Sequence, residues 1–242
     1  MTQPRNADTD PACVLMRLRG LAPLSSTAQS ALVEAMARPR NFLARQEIER
    51  AGDPAGEPRA IASGWACRMR GFSDGRRQIL SLLLPGDLIG LGRQRAPLAR
   101  STILALTPVM VGAVPRPDMP GAEDLADAYA ISEALDEAYL LAQIGRVGRM
   151  TAYERVAELM MELHARLGRA GLAEGSSFAM PLTQEMLADM LGLTSVHVNR
   201  TLRSLRHDGL MTIHGGMVTI HDMDRLAAQI GYQPPAISPL RP

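Results

Sequence analysis

The chain has 242 residues, 26 of them basic and 25 acidic, for a formal net charge of +1; 46% is hydrophobic but only 3% aromatic. That length leaves room for two modest cores, built from Leu, Ala, Met, Val and Ile rather than aromatic rings. The near-zero charge excludes attraction to nucleic acid by the chain as a whole, so any such charge has to be local. Cys13 and Cys67 stand far apart with no CxxC partner. This excludes a cysteine-ligated cluster or zinc site of the usual spacing and gives no sign of a disulfide scaffold. Each cysteine reads as a small buried apolar residue. Met1 to Ala12 is mostly polar with acids, unlike a signal peptide, and the longest nearly apolar run, Ile79 to Leu84, is far too short to span a bilayer. A cytoplasmic chain without a membrane partner is expected.

In chain order, the first dozen residues read as disordered. Ser25 or Ser26 can cap a helix through about Ala37, with Leu32, Val33 and Met36 inward and Pro39 ending it. From Asn41 to Val114 short apolar runs alternate with turn signals at Gly52-Asp53-Pro54, Ser63-Gly64, Asp74-Gly75 and Pro85-Gly86-Asp87. Runs such as Trp65 to Arg70 and Arg76 to Leu84 suit strands, and many short strands at this spacing predict a small antiparallel barrel or jelly roll. From Gly121 the period becomes helical. Leu125, Ala128, Ser132, Leu135, Tyr139 and Ala142 form one seam, and Ile131, Leu135, Ala138, Ala142 and Gly145 an overlapping second face. Two apolar faces suggest one for the barrel and one for a partner subunit. Gly145 and Gly148 read as a hinge. Thr151 to Glu154 is a capping box opening a further helix, with Tyr153, Val156, Met160, Leu163 and Leu167 on its apolar face and His164 bordering a helix–helix contact. Phe178 to Pro181 reads as a brief strand, and the tail from Gln233 as loose.

The stretch LTQEMLADMLGLTSVHVNRTLRSLRHDGLMTI, Leu182 to Ile213, carries the densest information. Thr183 caps a helix whose apolar face is Met186, Leu187, Met190 and Leu191. Gly192 supplies a positive-φ turn, and Thr194 caps a second helix with Val198, Leu202 and Leu205 inward. That leaves Ser195, Val196, His197, Asn199, Arg200, Arg203 and Arg206 on or near outward faces. Two short helices about a glycine turn, the second displaying Arg and Asn, form the pattern of a helix-turn-helix; an ordinary αα-hairpin is the alternative on spacing alone. Two short β runs follow, Leu210 to Ile213 and Met217 to Ile220, around His214-Gly215-Gly216, which makes the unit a winged helix. Asp222 then caps a last helix through Ile230.

This stretch resembles, almost position by position, the DNA-binding domain of the Crp/Fnr family of bacterial regulators. The segment IASGWACRMRGFSDGRRQILSLLLPGDLIGL is similar to the sensory β-roll of the same family. The resemblance implies an α+β chain: an antiparallel jelly-roll sensor at 13–120, a dimerisation helix and hinge at 121–148, and a winged helix-turn-helix at 149–232. It implies double-stranded DNA as partner, a homodimer through the Leu125–Gly145 helix, and RNA polymerase as a further partner if transcription is raised. In the family the recognition helix reads DNA mainly through positions matching Ser195, Val196 and Arg200. Arg200 keeps the guanidinium fork that suits guanine, whereas Val196 replaces a Glu and offers only methyls, which favour thymine. Asn199 can pair with adenine, and His197 is placed for a phosphate or a base edge.

In members that bind cyclic nucleotides, a Gly-Glu pair and an Arg-Ser pair hold ribose and phosphate. The matching positions are Gly90-Leu91 and Arg100-Ser101. Leu91 cannot accept a ribose hydroxyl, and the intervening segment holds Arg93, Arg95 and Pro97, so cyclic AMP is not expected to drive DNA binding. All five His lie at position 164 or later, which argues against haem in the barrel; no cofactor is called for. His207, His214 and His221 sit near the wing. Glu47, Glu49, Asp53 and Glu57 surround a Pro/Gly turn, where solvated carboxylates are commonplace. With no GxSxG, HExxH or glycine-rich phosphate loop, an enzyme is not expected. The reading is a transcription regulator that binds an inverted repeat as a homodimer, with the β-roll sensing an unidentified effector. The alternative is a ligand-binding or protein-interaction module that regulates a partner without DNA.

Overall fold

The computed structural model describes residues 11–91 and 97–235. The expected loose N-terminal stretch up to residue 10, Arg93 and Arg95, and the tail beyond 235 lie outside them. The fold is α+β, as expected, with every strand pair antiparallel.

Among the described residues eight strands make the roll: β1 (Arg40–Phe42), β2 (Glu47–Glu49), β3 (Arg59–Ser63), β4 (Ala66–Gly71), β5 (Arg77–Leu83), β6 (Leu88–Ile89), β7 (Thr102–Ala105) and β8 (Val109–Ala113). They form two sheets, ordered β1-β8-β3-β6 and β2-β7-β4-β5. Period-2 alternation fills the space between them with Phe42, Ile48, Ile61, Ala66, Leu83, Ile89, Ile103, Ala105, Val109 and Val111. Each large aliphatic among these contributes about 1.5–3 kcal/mol of transfer free energy before ordering costs. Gly64 joins β3 to β4 at φ +78, where an added Cβ would sit 2.0 Å from the Pro108 carbonyl oxygen, so any side chain there would force the strands apart.

The outer face of the first sheet is covered by helices. One, α1 (Ala12–Arg19), is not anticipated by the sequence reading; the next, α2 (Ser26–Ala35), is capped by Ser25, whose side chain accepts from the Ala28 amide. Leu32 and Met36 are buried, but Val33 points outward, against expectation, because three inward positions at 32, 33 and 36 exceed the face that α2 turns to the sheet.

The long helix α3 (Leu125–Arg149) runs through both Gly145 and Gly148, so no break occurs there; the chain turns only at Met150, in extended conformation. Thr151 then caps α4 (Ala152–Arg169) with the full reciprocal capping box. The α3 seam Leu125, Ala128, Ser132, Leu135 and Tyr139 is buried within the protomer. Leu135, at 5% exposure, is therefore not available to a partner, and the exposed large apolar residues of α3 are Leu140, Leu141 and Ile144.

A buried ionic chain binds these parts. Arg17 of α1 pairs with Asp87 in the β5–β6 turn (3.2 Å), and Asp87 with Arg166 of α4 (2.6 Å). Arg166 pairs with Glu162 (3.0 Å), Glu162 with Arg146 of α3 (2.6 Å), and Arg146 with Glu158 (3.1 Å). Three guanidiniums thus alternate with three carboxylates. Burial works to raise the Asp87 carboxyl, but the Arg166 and Arg17 cations outweigh it and hold it below the usual range. Asp136, one helical turn beyond Ser132, is a fourth carboxylate with no ion-pair partner among the described residues. Burial lifts it to about 6, Asp87 adding to the rise and Arg17, Arg166 and Arg68 opposing it. A carboxyl raised on folding destabilises the fold as pH climbs from its unfolded value, near 4, through 6. Asp136→Asn should therefore add on the order of 1–2 kcal/mol at pH 7.5, a gain that shrinks as pH is lowered from 6 toward 4. A gain independent of pH in urea titrations would contradict this.

Candidate nucleic-acid interface

After α4 come β9 (Ala173–Glu174), β10 (Ser177–Ala179), α5 (Gln184–Leu191), α6 (Ser195–His207), β11 (Met211–His214), β12 (Met217–Ile220) and α7 (Met223–Ile230). The four strands form one sheet, β11-β12-β10-β9. Thr183 caps α5 by accepting from the Met186 amide, and Thr194 caps α6 by accepting from His197. Between the helices Gly192 adopts φ +63, the left-handed turn that folds α6 back across α5. Gly215 and Gly216 both take positive φ in a two-residue wing turn, with His214 paired to Met217.

Val198 and Leu205 anchor α6 in the core; Thr201 is also buried there and Leu202 half-buried. Tyr153 of α4 donates to Asp208 at 2.9 Å and accepts from Gln229 of α7, tying three helices together. Burial and the Asp208 carboxylate push the phenol up to about 12, which keeps it a neutral donor.

The opposite side of α6 is open: Ser195, Val196 (76% exposed), His197, Arg200, Arg203 and Arg206 all face solvent. Within Ser195–His207 there are three Arg, two His and no acid, so this face is locally cationic although the chain is nearly neutral. Asn199 is half-buried and its amide donates to Gln184 at 3.1 Å, so it must release that partner to reach a base. Beside α6 a groove of about 500 Å³ runs between the helices and the wing, with Thr183, Gln184, Arg203 and Arg206 on its rim and Leu202 and Ile213 on its floor. Arg206 donates to the Ile213 carbonyl, bracing helix against wing.

His164 contacts the β9–β10 hairpin instead of a helix: its Nε2 lies 2.7 Å from the Gly175 carbonyl and its ring against Phe178. His221 bonds Thr212, His207 faces Asp208, and His214 is exposed. Both cysteines are buried, and burial pushes the Cys67 thiol up to about 12.

In the roll, Gly90 takes φ +77 and Leu91 is half-buried against the α1–α2–α3 cluster. Arg100 is exposed, and the Ser101 hydroxyl oxygen is buried without a hydrogen-bond partner among the described residues. Glu49 is paired with Arg59, both side chains largely buried, so it is not a solvated carboxylate as the turn chemistry suggests. The four candidate effector positions therefore offer one cation and one hydroxyl but no carboxylate.

Residues 154–229 match the Crp-like helix-turn-helix domain family, and residues 39–121 the cyclic nucleotide-binding domain family. The chain is 30% identical over 179 residues to the transcriptional activatory protein AadR of Rhodopseudomonas palustris, covering 70% of this chain and 71% of that one. The chain belongs to the Crp/Fnr family. Another Crp/Fnr relative, the transcriptional activator protein FnrL of Cereibacter sphaeroides, is 28% identical over 222 residues, 89% of this chain and 90% of that one. Among solved Crp/Fnr structures, FixK2 from Bradyrhizobium japonicum superposes with a TM-score of 0.67 at 28% identity, over 79% of this chain and 96% of that one. Like its Crp/Fnr relatives, the chain is a DNA-binding transcription regulator that joins a sensory roll to a helix-turn-helix. Among the described residues, no helix is long and apolar enough to cross a membrane.

Proposed function

We propose that two copies of this chain read an inverted-repeat operator, each through α6, and that Arg200 is the principal base-reading residue. The observation that carries this is the exposed, acid-free outward face of α6 held between two capped helix ends. Ser195, Val196, His197 and Asn199 complete the reading surface, while Thr183, Thr194 and Arg203 sit where phosphates flank the groove. A half-site should keep a guanine for Arg200 and place a thymine methyl against Val196.

Dimerisation is proposed through the exposed strip of α3. Leu141, Ile144 and Gly148 follow one another at three and four residues, the spacing of a coiled-coil seam, and among the described residues no other element comes within 4 Å of a Cβ added at Gly145 or Gly148. Reading an inverted repeat requires a symmetric pair whose two α6 helices lie one DNA turn apart, ~34 Å, which a dimer about a two-fold axis along this strip would have to provide. AadR and FnrL are named activators, which supports activation here, with RNA polymerase as a further partner and the cytoplasm as the place of work. For the roll, Arg100 and Ser101 suit an anionic group, and Leu91 argues against a ribose.

Arg200→Ala should cost ~1–3 kcal/mol on the selected operator and leave random-DNA binding nearly intact. Arg203→Ala should instead weaken binding to all sequences and flatten its salt dependence. Gel shifts at two salt concentrations separate the two; equal losses on specific and random DNA for Arg200→Ala would remove it from base reading.

A further inference from the structure

At the last turn of α5 the roll, the long helix and α4 meet through side-chain bonds from β5, α3 and α4. A helix end leaves its final carbonyls without partners inside the helix, and here donors from three other elements supply them. Gln78 of β5 donates to the Met190 carbonyl at 3.0 Å, and Gln143 of α3 donates to the same oxygen at 2.6 Å. Arg155 of α4 donates to the Leu191 carbonyl at 2.9 Å, and Arg77 of β5 pairs with Asp189. Gln143 is itself oriented: its carbonyl oxygen accepts from Arg146 at 2.6 Å, which turns the amide nitrogen toward α5. A cavity of about 80 Å³ separates the first turn of α5, at Thr183, Glu185 and Met186, from Cys67, Ile79 and Leu104 of the roll. Leu187, Ala188, Met190 and Leu191 of α5 also pack on the roll in one apolar cluster, and because apolar contact is non-directional the polar pins are what fix the orientation of α5 within it. Thr194, which caps α6, follows Leu191 by three residues, and Ser195, Val196, His197, Arg200 and Arg203 stay exposed in this arrangement.

We propose that Arg77, Gln78 and Gln143 are positioning residues for DNA reading: they pin α5 to the sensory roll and to α3 and so fix the angle at which α6 meets the groove. The inference rests on the DNA-reading function above. Two reading helices joined through a dimer profit from being held in register before they meet DNA, because the ordering cost is then already met. A change in the roll that shifts β5 reaches α6 directly through these bonds.

The test is a charge exchange in the full chain, Arg77→Asp and Asp189→Arg, alone and together. The probes are an inverted repeat selected by the wild-type chain from random duplexes, and its single half-site. Each single variant should lose about tenfold in affinity for the inverted repeat, as broken neighbour pairs do, with half-site affinity unchanged, and the double variant should recover. Gln78→Ala, which leaves Gln143 on the shared carbonyl, should lose less than either. Spin labels at Ser73→Cys on the β4–β5 hairpin and Ser204→Cys on α6, in labelled chain diluted with unlabelled, should give one narrow distance in the wild type. That distance should broaden in the single variants and narrow again in the double. Single variants that keep wild-type affinity, or a double variant that stays as weak as the singles, would overturn the proposal. Failure of the wild-type chain to enrich any duplex would overturn DNA reading itself, whatever the label distances show.

Discussion

Ile144→Asp should convert a dimer into a monomer and weaken binding to an inverted repeat by ~10²–10⁴-fold, the avidity lost when two half-sites are no longer bound by one object. Ile144 is 66% exposed in the protomer and lies in line with Leu141, so the carboxylate meets water until a second helix covers it. Covering it would demand desolvation of an unpaired charge, which the association cannot offset. Folding of the protomer should be untouched, because Ile144 contributes nothing to its interior. Leu135→Asp makes the contrast: at 5% exposure Leu135 belongs to the protomer core, and that substitution should unfold the chain instead of separating two chains. Sedimentation and gel shift read the two effects. An Ile144→Asp protein that remains dimeric would move the seam away from this strip.

Arg166→Met should cost about 3–5 kcal/mol of stability in urea, the range for removing one member of a buried ionic cluster. Arg166 donates to Asp87, to Glu162 and to the Leu82 carbonyl, and its guanidinium lies 4.7 Å from the Tyr139 ring centre. Methionine fills the space but leaves Asp87 to Arg17 alone and Glu162 to Arg146 alone. Asp87 is held low in the folded chain, so its contribution is present at neutral pH and lost as pH falls through its folded value. The variant should therefore lose less at acid pH than at pH 7. Adding Glu162→Gln should restore much of the loss, since Arg17–Asp87 and Arg146–Glu158 then remain as pairs and neither Asp87 nor Arg146 is left with an uncompensated neighbour. A single variant as stable as the wild type would show that the pairs do not offset their own desolvation.

The winged helix was legible because its instructions are local. Thr183, Thr194 and Asp222 are caps, Gly192 is a turn with one conformational solution, and the apolar spacing of α4, α5 and α6 needs no distant partner to be read. The roll was legible through its glycine turns. Helix α1 was missed because it carries no side-chain cap and no acid in its first turn, so its stability comes from packing on α3 and on β3. The ionic chain was missed for a related reason. Asp136, Gln143 and Arg146 do recur at helical spacing beside the apolar seam, but polar residues at that spacing ordinarily mark a solvated face. Only the acids and arginines of α4, together with Asp87 and Arg17, turn that face into an interior. The exposed strip of α3 was obscured by the same effect: the heptad seam with the most apolar residues was taken up inside the protomer, and the shorter one at Leu141 and Ile144 was left outside.

The roll and the winged helix share hydrophobic material. Trp65, Cys67, Ile79, Leu82 and Leu84 of the roll lie in one continuous cluster with Val156, Leu159, Met160 and Leu163 of α4 and with Leu187 and Leu191 of α5. A chain cut between the halves would present that cluster to water from both sides, so neither fragment inherits a finished interior. Heat absorption on melting should accordingly arrive as one peak for the whole chain, and recombining halves between distant relatives should succeed only where the two faces of this cluster are exchanged together.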